Sequence, residues 1–245
     1  MILRQLAAIA MLLAFAPQSF AGSAPRIAII IDDLGYHLAA GNRTIALPGP
    51  VACAILPGTP RADVLAKSAH ERGKEVLVHL PMEAVAHKGP FEPGAIRLDR
   101  SREAFSATFN DAMESVPHAV GVNSHRGSLL TRHPGHMQWL MEDILANESL
   151  FFVDSYTTHE SVALKIATEN SVPALKRDVF LDSDPAPEAV AKEFERLKAL
   201  ARERGLAVAI GHPYPVTLDF LEREIPRLVE EGIELVPIRE LIDFD

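Results

Sequence analysis

Five consecutive apolar residues, Ile27 to Ile31, run directly into two adjacent carboxylates, Asp32 and Asp33, with a glycine two positions further on at Gly35. A short apolar run that is β-branched except at Ala28 reads as a strand covered on both faces, as in a parallel sheet packed under helices. Carboxylates at the carboxyl end of such a strand stand where α/β folds put ligands and chemistry. Successive strand residues point to opposite faces, so Asp32 and Asp33 reach one spot only if the strand ends there. Gly35 supplies the backbone freedom for that turn.

The same motif recurs along the chain. Residues 51–56 form a second apolar run closed by Pro57-Gly58-Thr59-Pro60, and residues 75–83 a third, carrying His79 and ending at Glu83. Further strands are expected at 119–123, 150–155, 179–182, 206–211 and 233–237, with helices over 61–73, 101–116, 129–147, 159–170, 186–204 and 217–231. Ser101 reads as a helix N-cap, and Gly73 and Gly205 as C-terminal stops. Strictly alternating strands and helices, without linker or repeat, predict a single α/β domain around a parallel sheet of six to eight strands. Polar residues close many of these strands, and a distorted (β/α) barrel of parallel strands brings such ends to one mouth.

The first 21 residues are set apart from the fold. Arg4, the apolar stretch 6–16 and the small residues Ser19 and Ala21 give the pattern of a secretory signal peptide, leaving 22–245 as the domain. An uncleaved anchor is the alternative; the stretch is short for a membrane span. Export places the expected location in the periplasm or outside the cell, with no stable membrane insertion after signal cleavage. A formal net charge of −9 argues against nucleic acid as a partner and leaves a neutral glycan open. Cys53 is the only cysteine, so no intramolecular disulfide forms, and its apolar neighbours predict a buried thiol.

The residues that terminate strands are Asp32, Asp33, His79, Asn123, His125, Asp154 and His212. One carboxylate with two imidazoles suits Zn²⁺ or a similar first-row ion, whereas Ca²⁺ and Mg²⁺ prefer oxygen shells. A catalytic zinc keeps one position open for water and makes that water acidic near neutral pH, and the remaining groups supply a general base and a general acid. The set therefore points to a metal-dependent hydrolase.

Ile31-Asp32-Asp33-Leu34-Gly35, Glu75-Val76-Leu77-Val78-His79 and Ala209-Ile210-Gly211-His212 resemble the motifs of NodB-type polysaccharide deacetylases. With His79-Leu80-Pro81-Met82-Glu83, Gly121-Val122-Asn123-Ser124-His125, Phe152-Val153-Asp154-Ser155 and Gly211-His212-Pro213-Tyr214-Pro215, residues 26–242 look like the divergent polysaccharide deacetylase family of exported bacterial proteins. The resemblance implies a NodB-like barrel that removes N-acetyl groups from an amino-sugar polysaccharide or peptidoglycan-like substrate by attack of metal-activated water. It makes Asp32 the base, Asp33 and His79 metal ligands, and His212 the acid. The family's second histidine, four residues after the first, is Glu83 here; either Glu83 or His125 is the third ligand. His125 is preferred because Pro81 redirects the chain. Asp154 is expected to orient an imidazole or to bind substrate. Tyr36 and His37 are expected to line the cleft, and Tyr214 either stacks on a sugar or packs. The changed ligand pattern also leaves an alternative, an envelope protein of this fold that binds metal or glycan with little or no turnover. A phosphoesterase is disfavoured, since no Lys/Arg cluster stands out.

Overall fold

The computed structural model describes residues 24–86, 89–147 and 149–242 of the 245-residue chain; the expected signal peptide lies outside them. Nine strands build one sheet: β1 Arg26–Leu34, β2 Ala52–Ile55, β3 Val76–Met82, β4 Ala119–Arg126, β5 Phe151–Asp154, β6 Ala174–Lys176, β7 Val179–Phe180, β8 Leu206–Gly211 and β9 Glu234–Leu235. Between them lie α1 Leu38–Ile45, α2 Ala62–Glu71, α3 Arg102–Ser115, α4 Pro134–Leu145, α5 Ala163–Glu169, α6 Pro187–Arg204 and α7 Pro215–Glu224. The strand order is β6-β5-β4-β3-β2-β1-β8-β7, with β9 added to β1, and every pairing is parallel.

The sheet is an incomplete barrel, and its break falls between β6 and β7. These two edge strands are consecutive in the chain, joined only through Arg177 and Asp178. Arg177 N–H donates to Asp154 O on one side, while Asp178 N–H donates to Val208 O on the other, so the backbone itself crosses the gap.

Two apolar layers fix which way each side chain points. Ile27, Ile29 and Ile31 pack outward under the helices, whereas Ala28 and Ile30 face inward with Ala52, Ala54, Leu77, Phe151, Val153, Val208 and Ile210. Val236, Ile238, Leu241 and Ile242 join the inner layer from the C-terminal turns. All five residues Ile27 to Ile31 are fully buried; a fully buried side chain of this size stabilises by about 1.5–3 kcal/mol. Gly121 belongs to the same inner crowd: a Cβ there would stand 2.5 Å from the Phe151 ring.

Several elements differ from the sequence expectation. The strand count exceeds eight because of β6, an edge strand of only three residues that was not anticipated; β7 and β9 are shorter than the strands expected there. Helix α1 was not anticipated; it holds Gly, Asn and Thr, and its N-terminus lacks a side-chain cap. The helix expected to 231 stops at Glu224 and continues as a 3₁₀ turn over 225–231, where Pro226 has no N–H to carry on the helical ladder. Ser101 does cap α3, accepting from Ala104 N–H, and Cys53 is buried and free.

Candidate metal centre and catalytic groups

The two-residue period of the strands carries the inner face up to the mouth of the barrel. Ala28 and Ile30 lead to Asp32, Leu77 leads to His79, Gly121 leads to Asn123 and His125, and Val208 and Ile210 lead to His212. Asp33 has the wrong parity, yet it reaches the same spot. β1 does not end at Asp32; it runs to Leu34 through an irregular register, with Asp33 in the left-handed region at φ 59°. That local bulge turns the second carboxylate inward. Gly35, at φ 127°, then closes against Thr59, whose Oγ1 would be 2.1 Å from any added Cβ.

Asp33 Oδ1 lies 3.2 Å from His79 Nε2 and 3.0 Å from His125 Nδ1, and the two imidazole nitrogens are 3.0 Å apart. The oxygen is buried without a hydrogen bond of good geometry. A buried carboxylate oxygen in that condition, facing two ring nitrogens, is the donor set of a Zn-type ion. The three residues could hold such an ion. Glu83, the other candidate, lies past the end of β3 and accepts from Leu98 N–H at 2.9 Å. Pro81 does not redirect the chain: β3 continues through it, with Pro81 paired to His125 and His79 to Asn123.

Asn123 links the two halves of this cluster. Its Oδ1 is 2.9 Å from His79 Nδ1, and its Nδ2 donates to Asp32 Oδ1 at 2.7 Å. With the amide in that orientation, His79 carries its proton on Nδ1 and presents a lone pair at Nε2.

The adjacent carboxylates are driven apart in acidity. Burial pushes Asp32 up, against the pull of His79, His212 and the Asn123 donor. Burial acts on Asp33 in the same sense, but the close His125 and His79 rings outweigh it and hold Asp33 well below the usual carboxylate range. A raised carboxyl is suited to accept a proton and a lowered one to stay ionised.

His212 stands across the site, with Nε2 3.7 Å from Asp33 Oδ2. Its Nδ1 is 2.8 Å from Asp182 Oδ1, while Asp182 Oδ2 accepts from His212 N–H and Thr217 Oγ1–H, each at 2.7 Å. Burial lowers the imidazole's pKa, but Asp182 foremost, with Asp32 and Asp33, more than offsets this and raises it. The residue that orients an imidazole is therefore Asp182. Asp154, expected in that part, accepts from Tyr156 N–H at 2.9 Å and Ser161 Oγ–H at 2.7 Å. It shares the parity of Phe152, which packs in the outer layer. Asp182 shares the parity of Phe180, which packs against the inner one.

Two cavities flank the cluster. One of about 310 Å³ reaches into the barrel mouth and is lined by Ser124, Ser155, Tyr156, Arg177 and Phe180, along with the site residues. The other, about 510 Å³, opens toward solvent between Tyr36, His37, Leu56, Pro213 and Tyr214. Tyr36 and Tyr214 are nearly half exposed, and the Tyr214 ring stacks on His212 at 5.4 Å between centroids. Glu92, from the long loop after β3, pairs with Arg126 at 2.8 Å and stands 3.7 Å from His125 Nε2. The parts played by Asn123, Asp182, Arg177 and Glu92 were not anticipated. For Asp182 the strand parity was a readable signal.

Known proteins bear on this arrangement in three ways. The Escherichia coli (strain K12) protein YibQ is 36% identical over 240 residues, spanning 98% of this chain and 73% of that one. The crystal structure of ATU2773 from Agrobacterium tumefaciens C58 superposes with a TM-score of 0.85 at 20% identity, over 90% of each chain. The catalytic domain of peptidoglycan N-acetylglucosamine deacetylase from Eubacterium rectale ATCC 33656 gives 0.54 at 15% identity, covering 88% of this chain and 89% of that one. Both structures share the fold, an incomplete barrel of parallel strands. The model of the divergent polysaccharide deacetylase family matches residues 29–242, nearly the whole of the described chain, and the chain belongs to that family.

Proposed function

We propose that the chain is a metal-dependent hydrolase that removes N-acetyl groups from an amino-sugar polysaccharide of the cell envelope. The observation that carries this reading is the convergence of Asp33 Oδ1, His79 Nε2 and His125 Nδ1 beside Asp32 and His212. Asp33, His79 and His125 would hold the ion, Zn²⁺ by preference for this donor set. When bound, the ion supplies Lewis acidity, which activates water and polarises the acyl carbonyl.

The chain's own groups handle the protons. Asp32, raised by burial and held by Asn123, takes the proton of the attacking water. His212, protonated through its pairing with Asp182, offers Nε2–H to the departing amine nitrogen. Asp182 and Thr217 keep the ring in place, and Asn123 keeps His79 and Asp32 in register. Among the described residues no helix is long and apolar enough to cross a membrane. An exported, periplasmic or secreted location follows from the sequence of residues 1–21.

Metal analysis of the purified protein, paired with acetate release from acetylated chito-oligosaccharides and peptidoglycan, tests the reading. The expected result is one equivalent of metal and acetate release that Asp32→Asn abolishes while the metal stays. Stoichiometric metal with no acetate released from any glycan, and no cellular effect of Asp32→Asn, would overturn it in favour of a binding protein.

A further inference from the structure

Arg177 is held in the barrel gap by backbone carbonyls, without a direct ion pair among the described residues. Its Nε donates to Ser155 O at 2.6 Å and its Nη2 to Tyr156 O at 2.9 Å, so two backbone carbonyls fix the guanidinium plane. Among the described residues no carboxylate makes an ion pair with it, although it lines the 310 Å³ cavity with Asp32, Asp33 and His212. Arg126, the other arginine of that cavity, is already paired with Glu92. The Arg177 guanidinium lies over the Phe180 ring at 4.8 Å, and Phe180 is 5.2 Å from the His212 ring. The Phe180 ring thus touches both the cation and the proposed acid. Ser124 and Ser155 add hydroxyls to the same wall, and Lys176, over the Tyr156 ring at 4.2 Å, adds a second positive charge nearby.

Asp32, Asp154 and Asp178 act on Arg177 through space, but none is within ion-pair distance, and a half-buried guanidinium pre-oriented by backbone carbonyls with no direct carboxylate partner is a site for planar anions. We propose that Arg177 forms an anion subsite beside the reacting groups, and that the preferred substrate is an N-acylated amino sugar carrying a carboxylate on the neighbouring carbon. This rests on the deacetylase reading and narrows its substrate. A carboxylate there is drawn toward the gap between β6 and β7, which leaves the acylamino group facing the Asp/His cluster. Arg177 acts on substrate choice, not on the proton transfers.

The test compares disaccharides of N-acetylmuramic acid, whose 3-O-lactyl group is a carboxylate, with the neutral lactyl amide and with plain N-acetylglucosamine. Binding by nuclear magnetic resonance titration is measured alongside acetate release, for the wild type, Arg177→Gln and Arg177→Lys. The wild type is expected to bind the carboxylate sugar about 10- to 100-fold more tightly than its amide, the range of one charge-assisted hydrogen bond pair. Arg177→Gln should erase that preference, and Arg177→Lys should restore part of it. Preferential carboxylate binding without acetate release would support the subsite and count against the deacetylase reading. Acetate released equally well from all three sugars would overturn the subsite and leave that reading intact. Equal loss of all three sugars in Arg177→Gln, unrelieved by Arg177→Lys, would make Arg177 a structural clasp of the barrel gap and overturn the proposal.

Discussion

His79 and His212 face one site from opposite sides of β1, and each is held by its Nδ1 edge. Across β3 and β4 the partner is a neutral amide, Asn123. Across β7 and β8 it is a carboxylate, Asp182. An amide oxygen selects a tautomer and aims a lone pair without adding charge, which suits a metal ligand. A carboxylate stabilises the imidazolium, which suits an acid. The two rings acquire different chemistry from what stands behind them, and the barrel sets this by pairing β3 with β4 and β7 with β8.

The largest effect should come from breaking the ligand side. His79→Ala is expected to lose bound metal and to reduce acetate release to background while melting cooperatively; full metal occupancy in this variant would remove His79 from the ligand set. Next comes Asp182→Asn, which turns the His212 partner into the kind that His79 has. Metal content should stay the same while turnover falls by about 100-fold. The pH profile should also move. The raised pKa of His212 keeps the acid form present below it and loses it as pH rises through it, so removing Asp182 brings the alkaline fall to lower pH. An unmoved alkaline limb would show that another group is the acid.

A smaller effect is expected for Asn123→Leu, about 10- to 100-fold in metal affinity by competition with a chelator, as for other residues behind a ligand. The smallest is Asp154→Asn. This carboxylate faces the outer layer, so activity should hold within about twofold, while loss of its hydrogen bonds costs about 1–2 kcal/mol in denaturant unfolding. A large activity loss with unchanged stability would bring Asp154 back into the site.

Much of the fold could be read from the chain because its long strands are nearly unbroken Ile, Val and Ala, and each stops at a polar residue. Asp32, His79, His125 and His212 stood out for that reason. Asp182 closes the strand expected at 179–182, but β7 is only Val179–Phe180 and the carboxylate follows two residues past its end, so its place behind His212 was not legible. Counting by twos from Phe180 would have found it, and counting by twos from Phe152 would have turned Asp154 outward. Asn123 was visible as a strand end, but its role depends on the register that sets it beside His79, a long-range fact. Arg177 sits between β7, which was expected, and β6, which is too short to announce itself. Asp33 obeyed no parity at all; only its backbone conformation explains it.

That conformation bears on how such a site can be lost. At φ 59° the residues accepted at little cost are Gly, Asn and Asp, whereas others pay about 1–2 kcal/mol. Asp alone among the three brings a carboxylate. A single change to Asn or Gly would therefore disarm the centre without straining the backbone. The path of the chain at this turn cannot sort active from silent versions of this fold, whereas the identity of the residue there, with its metal content, can.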